Sequence, residues 1–441
     1  MSSAPPVAAT RVRSPRRALL LALTLMASRA EAQLPLPALP LPVPTPGQIV
    51  DQATQGVGNA GAEVERAIAD AHAAAGRALI SQHRAVIEAD PAGAPIVRAE
   101  LLAYEPGAAA LLRATQDGFE IVHRTPLEGL DTELVTLHGP PGVSTRRALT
   151  RLRRLDPQGQ YDYNHIYFTV GALPPTAVAA AGTGAAQPTP PPSTARVGMI
   201  DSGVDFTHPA LQRSGSTQTG CDGHGAPTAH GTAVASLIAG EDAKFRGALP
   251  GARLIAVDVY CGEVTGGSTD RLALAFALLV RSGVQVINVS LVGPANATLA
   301  HVVAAALARG VLIVAAVGND GPAAPPLYPA SLPGVIAVTG VDAHDRVLPE
   351  ACRSEQMTLA APGSGLRAAD AGHGYSTVRG TSFAAPIVSG LLAGLARPQP
   401  GGGARAEQAL IATARHLGAR GRNVVYGYGL VGEFARSNNP P

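Results

Sequence analysis

Arg196-Val197-Gly198-Met199-Ile200-Asp201-Ser202-Gly203 is a short apolar run that stops on a carboxylate and a turn glycine. Apolar residues here do not alternate with polar ones, which implies a strand covered on both faces, as in a parallel sheet. The stretches Leu254–Val259, Val284–Val289, Val311–Ala316 and Val335–Val338 read the same way. Helical patterns fall between or after them, at Asp270–Arg281, Thr298–Arg309 and Ser382–Leu395. This alternation predicts an α/β three-layer sandwich with a mainly parallel sheet over residues 196–435. Ligands then belong at the carboxyl ends of the strands, where Asp201 and Asn319 stand.

Three segments carry chemistry. Asp201-Ser-Gly-Val closes the first strand, and His230-Gly-Thr opens a helix-forming stretch. Gly380-Thr381-Ser382-Phe-Ala-Ala-Pro386 puts a hydroxyl at the start of an apolar helix. A serine hydroxyl is a poor nucleophile unless a base removes its proton, and the base works best when a buried carboxylate fixes its tautomer. Asp-Ser-Gly alone reads as a turn. With the other two segments, in the order Asp, His, Ser, it implies acyl transfer. A fourth segment, Ala315-Ala-Val-Gly-Asn319-Asp-Gly321, follows a strand directly. The Gly-x-Ser-x-Gly elbow of lipases is not matched, because Ala384 holds its last position.

With these motifs in this order, the chain resembles the subtilisin-like serine proteases from Arg196 to about Gly432. The tail Asn423–Val431 is also similar to that family. The resemblance implies a serine endopeptidase in which His230 is the general base, Asp201 orients it and Ser382 attacks. Asn319 would donate its side-chain amide to the oxyanion, together with the Ser382 N–H. It further implies that an extended peptide lies between two segments, Gly266-Gly267-Ser268 and Ser290-Leu291-Val292-Gly293. The family usually has glycine at Val292, so the valine is expected to narrow the pocket. It more often has a second histidine where Ala233 stands, a packing position. Pro386 is expected in the first turn of its helix. Many relatives bind calcium, but the loop between Gly240 and Gly247 is short, and Asp222, Asp242 and Asp258 do not form a spaced ligand set. No obligatory metal or other cofactor is expected. Two other readings are an inactive binding protein on the same fold and a simple esterase.

The rest of the chain reads as a precursor. Arg11, Arg13, Arg16 and Arg17 precede an apolar run, Ala18–Ala27, and then Ala30-Glu31-Ala32. That pattern predicts an export signal over 1–32, too short to span a bilayer, with Arg16-Arg17 also compatible with a twin-arginine route. A Pro-rich spacer covers 33–62. Residues 63–170 are expected to hold one helix from Glu63 to about Ala89 and a small α+β pro-domain-like unit. Its strands fall near Val97–Ala103, Phe119–His123, Leu134–Leu137 and Asn164–Phe168, with a helix at Ser144–Leu155. Residues 171–195, rich in Ala, Gly, Pro and Thr, read as a linker and hold the expected cut site. The unit before it is the expected intramolecular inhibitor. The alternative is a permanent interaction domain.

Composition excludes some partners. Hydrophobic residues make up 46% and the formal charge is +2, so neither nucleic acid nor an anionic membrane is an expected partner. Arginines 146, 147, 151, 153 and 154 read as a solvated helix face rather than a nucleic-acid patch. No other stretch is long and apolar enough for stable membrane insertion. An exported, periplasmic or secreted location is expected. Cys221 and Cys261 are the preferred disulfide pair. The alternative is three small buried hydrophobes, to which Cys352 belongs in either case.

Overall fold

Alternate residues along the central strands face opposite layers, and both layers are apolar. The computed structural model describes residues 74–169, 195–223, 225–242, 245–396 and 401–438. The leader, the Pro-rich spacer, the first part of the 63–89 helix and nearly all of the linker lie outside the described residues.

The chain order begins with helix α1 over 74–82, then β1 (Ile87–Ala89), β2 (Pro95–Tyr104), α2 (Ala108–Gln116), β3 (Glu120–Leu127), β4 (Thr132–His138), α3 (Thr145–Leu155), β5 (Gln160–His165) and β6 (Phe168–Thr169). Next come β7 (Arg196–Asp201), β8 (Thr217–Thr219), α4 (Ala229–Ala239), β9 (Arg253–Asp258), α5 (Thr269–Arg281), β10 (Val286–Val289) and β11 (Leu291–Val292). It continues with α6 (Ala297–Ala308), β12 (Leu312–Ala316), β13 (Ile336–Val341), β14 (Met357–Pro362), β15 (Leu366–Ala369), β16 (Tyr375–Val378), α7 (Thr381–Leu395) and α8 (Gly402–Thr413).

Seven of these strands form one sheet in the order β14-β13-β12-β10-β7-β9-β8, and all its pairs are parallel. Val197 and Met199 of β7, with Val314 and Ala316 of β12, pack on the side of α4, α7 and α8. Ile200, Ile287, Val289, Ile313 and Ala315 pack on the side of α5 and α6. These are the three layers expected, and the period-two side-chain alternation produces them directly.

The N-terminal unit is an antiparallel sheet, β1-β2-β4-β3 with β5 also paired to β2. Its own core joins Leu101, Ala103, Val135 and Leu137 to Leu111 of α2 and Leu149 and Leu152 of α3. The opposite face of β2, Leu102 and Tyr104, joins Leu127, Leu130 and Leu134 against α5 and α6. Two elements differ from expectation. The helix expected to reach Ala89 ends at 82, because β-branched Ile87 pairs with Val97 as strand β1. Helix α2 follows Gly107 and lacks a side-chain cap, so no start signal marks it in the sequence.

Strand β5 meets the peptide groups that helices leave unpaired at their first turns. Asp162 Oδ2 accepts from Ala297 N at 2.6 Å at the start of α6, and Asn164 Oδ1 accepts from Asp270 N at 3.2 Å at the start of α5. Negative or dipolar groups there also complement the helix dipole. Beside them Gly129 lies against α5 so closely that a Cβ would sit 2.1 Å from the Ala277 carbonyl oxygen and 2.7 Å from Arg281 N. Gly129→Ala, made with Ser382→Ala to prevent proteolysis, is therefore expected to lift the N-terminal unit from α5. Overpacking of this kind costs about 1–3 kcal/mol. A lowered denaturation midpoint is the expected reading, and an unchanged one would show that this seam is not tight.

Candidate active site

The turn after β7 and the first turn of α4 interlock through one carboxylate oxygen. Asp201, fully buried, accepts at Oδ1 from Ser202 N (2.7 Å), Ser202 Oγ (3.0 Å) and His230 Nδ1 (2.8 Å). An ionised carboxylate only accepts, so this contact assigns the imidazole proton to Nδ1 and leaves Nε2 as the basic nitrogen. The Ser202 hydroxyl also meets Thr228 Oγ1 at 2.7 Å, and Thr228 caps α4 by accepting from Gly231 N at 3.0 Å. Gly231 is needed for this approach, since a Cβ would lie 2.3 Å from the Ser202 carbonyl oxygen.

Ser382 sits in the first turn of α7, which packs against α4 on the same side of the sheet. The ring of the next residue, Phe383, lies 5.3 Å from the His230 ring. Ser382 Oγ donates to the Ser290 carbonyl at 3.2 Å, and Ser290 Oγ donates to the Ser382 carbonyl at 3.0 Å. Pro386 explains how that carbonyl is available. It stands in the second turn of α7 rather than the first, four residues after Ser382, where an N–H would otherwise bond the Ser382 oxygen. Ser290 is held in turn by Asn288 Nδ2 (2.9 Å), and Asn288 Oδ1 accepts from Ser389 Oγ (2.9 Å), all of them fully buried.

Asn319, 3% exposed, follows β12. Its Oδ1 accepts from Thr381 N (3.1 Å) and Thr381 Oγ1 (2.9 Å), so its amide donors are directed elsewhere. Asp201, His230, Asn319 and Ser382 therefore share the carboxyl edge of the parallel sheet, drawn from β7, α4, the loop after β12, and α7.

The subtilase family model (peptidase S8) matches residues 193–429, more than half of the chain. The chain belongs to the subtilase family. It is 34% identical over 252 residues to Subtilisin Savinase of Lederbergia lenta, covering 54% of this chain and 89% of that protein. It is 32% identical over 254 residues to Subtilisin E of Bacillus subtilis, covering 54% of this chain and 64% of that protein. The chain thus spans a little under two thirds of the length of several of the relatives it matches. Among solved structures, fervidolysin from Fervidobacterium pennivorans, a keratinolytic enzyme related to subtilisin, matches with TM-score 0.64 and 22% identity, over 78% of this chain and 61% of that one. The epidermin leader peptide processing serine protease of Staphylococcus aureus matches with TM-score 0.58 and 15% identity, over 78% of this chain and 98% of that one. Both show the subtilase fold.

The segment between Gly267-Ser268 and Leu291-Gly293 in this subtilase is its own chain. Ile166 bridges Ser268, Tyr167 N donates to the Gly267 carbonyl at 2.9 Å, and β6 pairs antiparallel with β11 as Thr169 to Leu291 and Phe168 to Val292. The fully buried Tyr167 ring covers Gly293, where a side chain would collide, and its hydroxyl donates to the Pro294 carbonyl at 2.9 Å. Gly266 does not join this contact; it turns back on Tyr260 and donates to the Glu263 carbonyl. Val292 is fully buried. Nothing in the local sequence at Tyr167 marks it as the occupant, because its partners lie about 100 residues away or more.

Cys221 and Cys261 form a disulfide, and Cys352 is a buried thiol that burial pushes well above its ordinary pKa. Among the described residues, the cluster with the spacing to hold an ion is Cys221, Asp258 and Cys261. Two of its three atoms are disulfide sulfurs, so it does not fit calcium, which takes oxygen ligands. The calcium loop considered above includes residues 243–244, outside the described residues. Among the described residues no helix is long and apolar enough to cross a membrane.

Asp258, beside Asp201 on the neighbouring strand, is 4% exposed. Burial pushes its carboxyl above the usual range, aided by the Asp201 charge and opposed by the N–H groups of Cys261 and Tyr260. A carboxyl with a raised native pKa favours folding while protonated. That contribution is fully present below the unfolded value of about 3.9 and is lost as pH rises through the native one. Asp258→Asn keeps an acceptor for both N–H groups and removes the ionisation. Its melting temperature relative to wild type should therefore rise between pH 4 and pH 7. An offset independent of pH would contradict the shift.

Proposed function

We propose that this chain is a serine-type endopeptidase, made as a precursor and exported. The observation that carries the reading is the buried Asp201–His230 contact at 2.8 Å, on the same sheet edge as Ser382 and Asn319. In the proposed mechanism the Ser382 side chain rotates from the Ser290 carbonyl toward His230 Nε2, which takes its proton as Oγ attacks the substrate carbonyl carbon. Asp201 accepts the Nδ1 proton's hydrogen bond and stabilises the imidazolium. Negative charge builds on the carbonyl oxygen, where the Ser382 N–H and an Asn319 Nδ2 donor meet it. Collapse breaks the C–N bond, His230 protonates the departing amine, and water, activated by the same base, releases the acyl group.

The substrate would lie as an added strand between Gly267-Ser268 and Leu291-Val292, read mainly through its backbone. The occupancy of that position by Ile166–Thr169 supports a role for the N-terminal unit as intramolecular inhibitor. Thr169 pairs with Leu291, the neighbour of Ser290, which contacts Ser382. The first cut is therefore proposed within residues 171–195, the segment that follows this strand in the chain. Export is supported by the arginine-led apolar run before Ala32 and by the disulfide, since such bonds persist in oxidising compartments.

Ser382→Ala is expected to abolish peptide hydrolysis and labelling by a serine-directed phosphonate. Unchanged turnover would sink the assignment. Mass spectrometry and N-terminal sequencing of the same pair should find a form beginning within residues 171–195 in the wild type and only uncut chain in the variant. A fully active wild type that retains residues 74–169 would refute the inhibitor role.

A further inference from the structure

Glu350 is 1% exposed, yet it carries a charge and lies on neither β7, α4, β12 nor α7. Its backbone carbonyl accepts from Gly321 N at 2.8 Å, two residues after Asn319. Its carboxylate grips Arg379, three residues before Ser382. Oε2 accepts from Arg379 Nη2 at 2.9 Å, and Oε1 makes an ion-pair contact with Nε at 2.7 Å. One edge of the guanidinium thus faces the carboxylate, with a charge-assisted hydrogen bond at Nη2 and a close ion-pair contact at Nε.

These contacts close a ring. Asn319 Oδ1 holds Thr381, Thr381 is joined through Gly380 to Arg379, Arg379 is held by Glu350, and Glu350 returns through Gly321 to Asn319. The same segment grips the Asn319 loop twice more, by Cys352 N to the Gly318 carbonyl (3.0 Å) and Asp320 N to Cys352 Sγ (3.3 Å). On the nucleophile side Gly380 N donates to the Gly363 carbonyl at 2.7 Å. Without Glu350, the Asn319 loop would meet this segment through Thr381, by Asn319 Oδ1 and by Gly318 N, which donates to Thr381 Oγ1 at 3.2 Å.

We propose that Glu350 is a positioning residue, which through Arg379 and Gly321 sets the spacing between the Asn319 amide and the Ser382 N–H. The inference rests on the peptidase reading. The carboxylate is too deeply buried to meet substrate, and the strand segments that would bind peptide, at 267–268 and 291–293, take no part in the ring. Its effect therefore belongs to the transition state, where the oxyanion exists, and not to ground-state binding.

Glu350→Gln keeps the shape and one acceptor oxygen while it removes the charge that holds Arg379. Small displacements of catalytic groups cost up to about 100-fold in rate. On a peptide substrate, kcat for this variant should fall about 10- to 100-fold with KM changed less than about twofold. A second variant, Glu350→Leu with Arg379→Met, removes the buried charge without leaving a partner unpaired, an exchange that is often neutral or stabilising. It should recover the wild-type melting temperature while kcat stays low. Wild-type kcat in Glu350→Gln, or in the double variant, overturns the positioning role. If the single variant does not fold, the double variant decides by the same criterion. A wild-type chain without hydrolytic activity overturns the peptidase reading and this inference with it.

Discussion

The parallel sheet is buried on both faces, and the rest of the molecule follows from that constraint. Strands β7, β10, β12 and β13 have no face to give to solvent, so helices must cover each side and the crossovers must run through them. Polar side chains are then scarce in the strand interiors, where Thr339 of β13 is an exception, and gather toward the strand ends. Asp201 ends β7, Asn288 and Ser290 mark the end of β10, and Asn319 follows β12. The candidate site is the place where this sheet can hold polar groups in fixed positions while still packing its core.

Burial also decides which polar contacts matter. The Asp201 carboxylate has three donors on one oxygen, and the Ser389-Asn288-Ser290-Ser382 chain runs through fully buried atoms. In such surroundings each hydrogen bond is stiff, and an unmade one is costly. By contrast, the ion pairs that join the N-terminal unit to α5 and α6, Arg281–Glu128 and Arg309–Asp131, involve exposed carboxylates and add little. That union depends instead on the apolar patch around Leu102, Leu127 and Leu130, on the capping of two helices by β5, and on the threading of residues 166–169 beside β11.

Much of this was legible in the chain because its signals are local. The buried strands read as apolar runs, α3 began after Ser144 and stopped at Asp156, and the four motif residues stood at strand ends and helix starts. Other features were misread for equally physical reasons. The run before Ala89 keeps helical spacing, but Ile87 gains more from pairing with Val97 in β1. Strand β14, Met357–Pro362, mixes Thr, Ala and a closing proline with few β-branched residues, so its pattern is weak. Pro386 was expected in the first turn, and its place in the second turn explains a carbonyl contact that spacing alone did not suggest.

Motif identity and periodicity within a few residues were enough to read the candidate site residues, their order along the chain and the α/β fold that carries them. Which distant residues meet is fixed by packing and is not written in any local stretch. Tyr167 lies over Gly293, and Glu350 closes a ring between Asn319 and Ser382. Along the chain, Glu350 and Arg379 look like any two surface charges. Their separation in sequence hides the burial that makes them a pair, and burial is a property of the packed molecule.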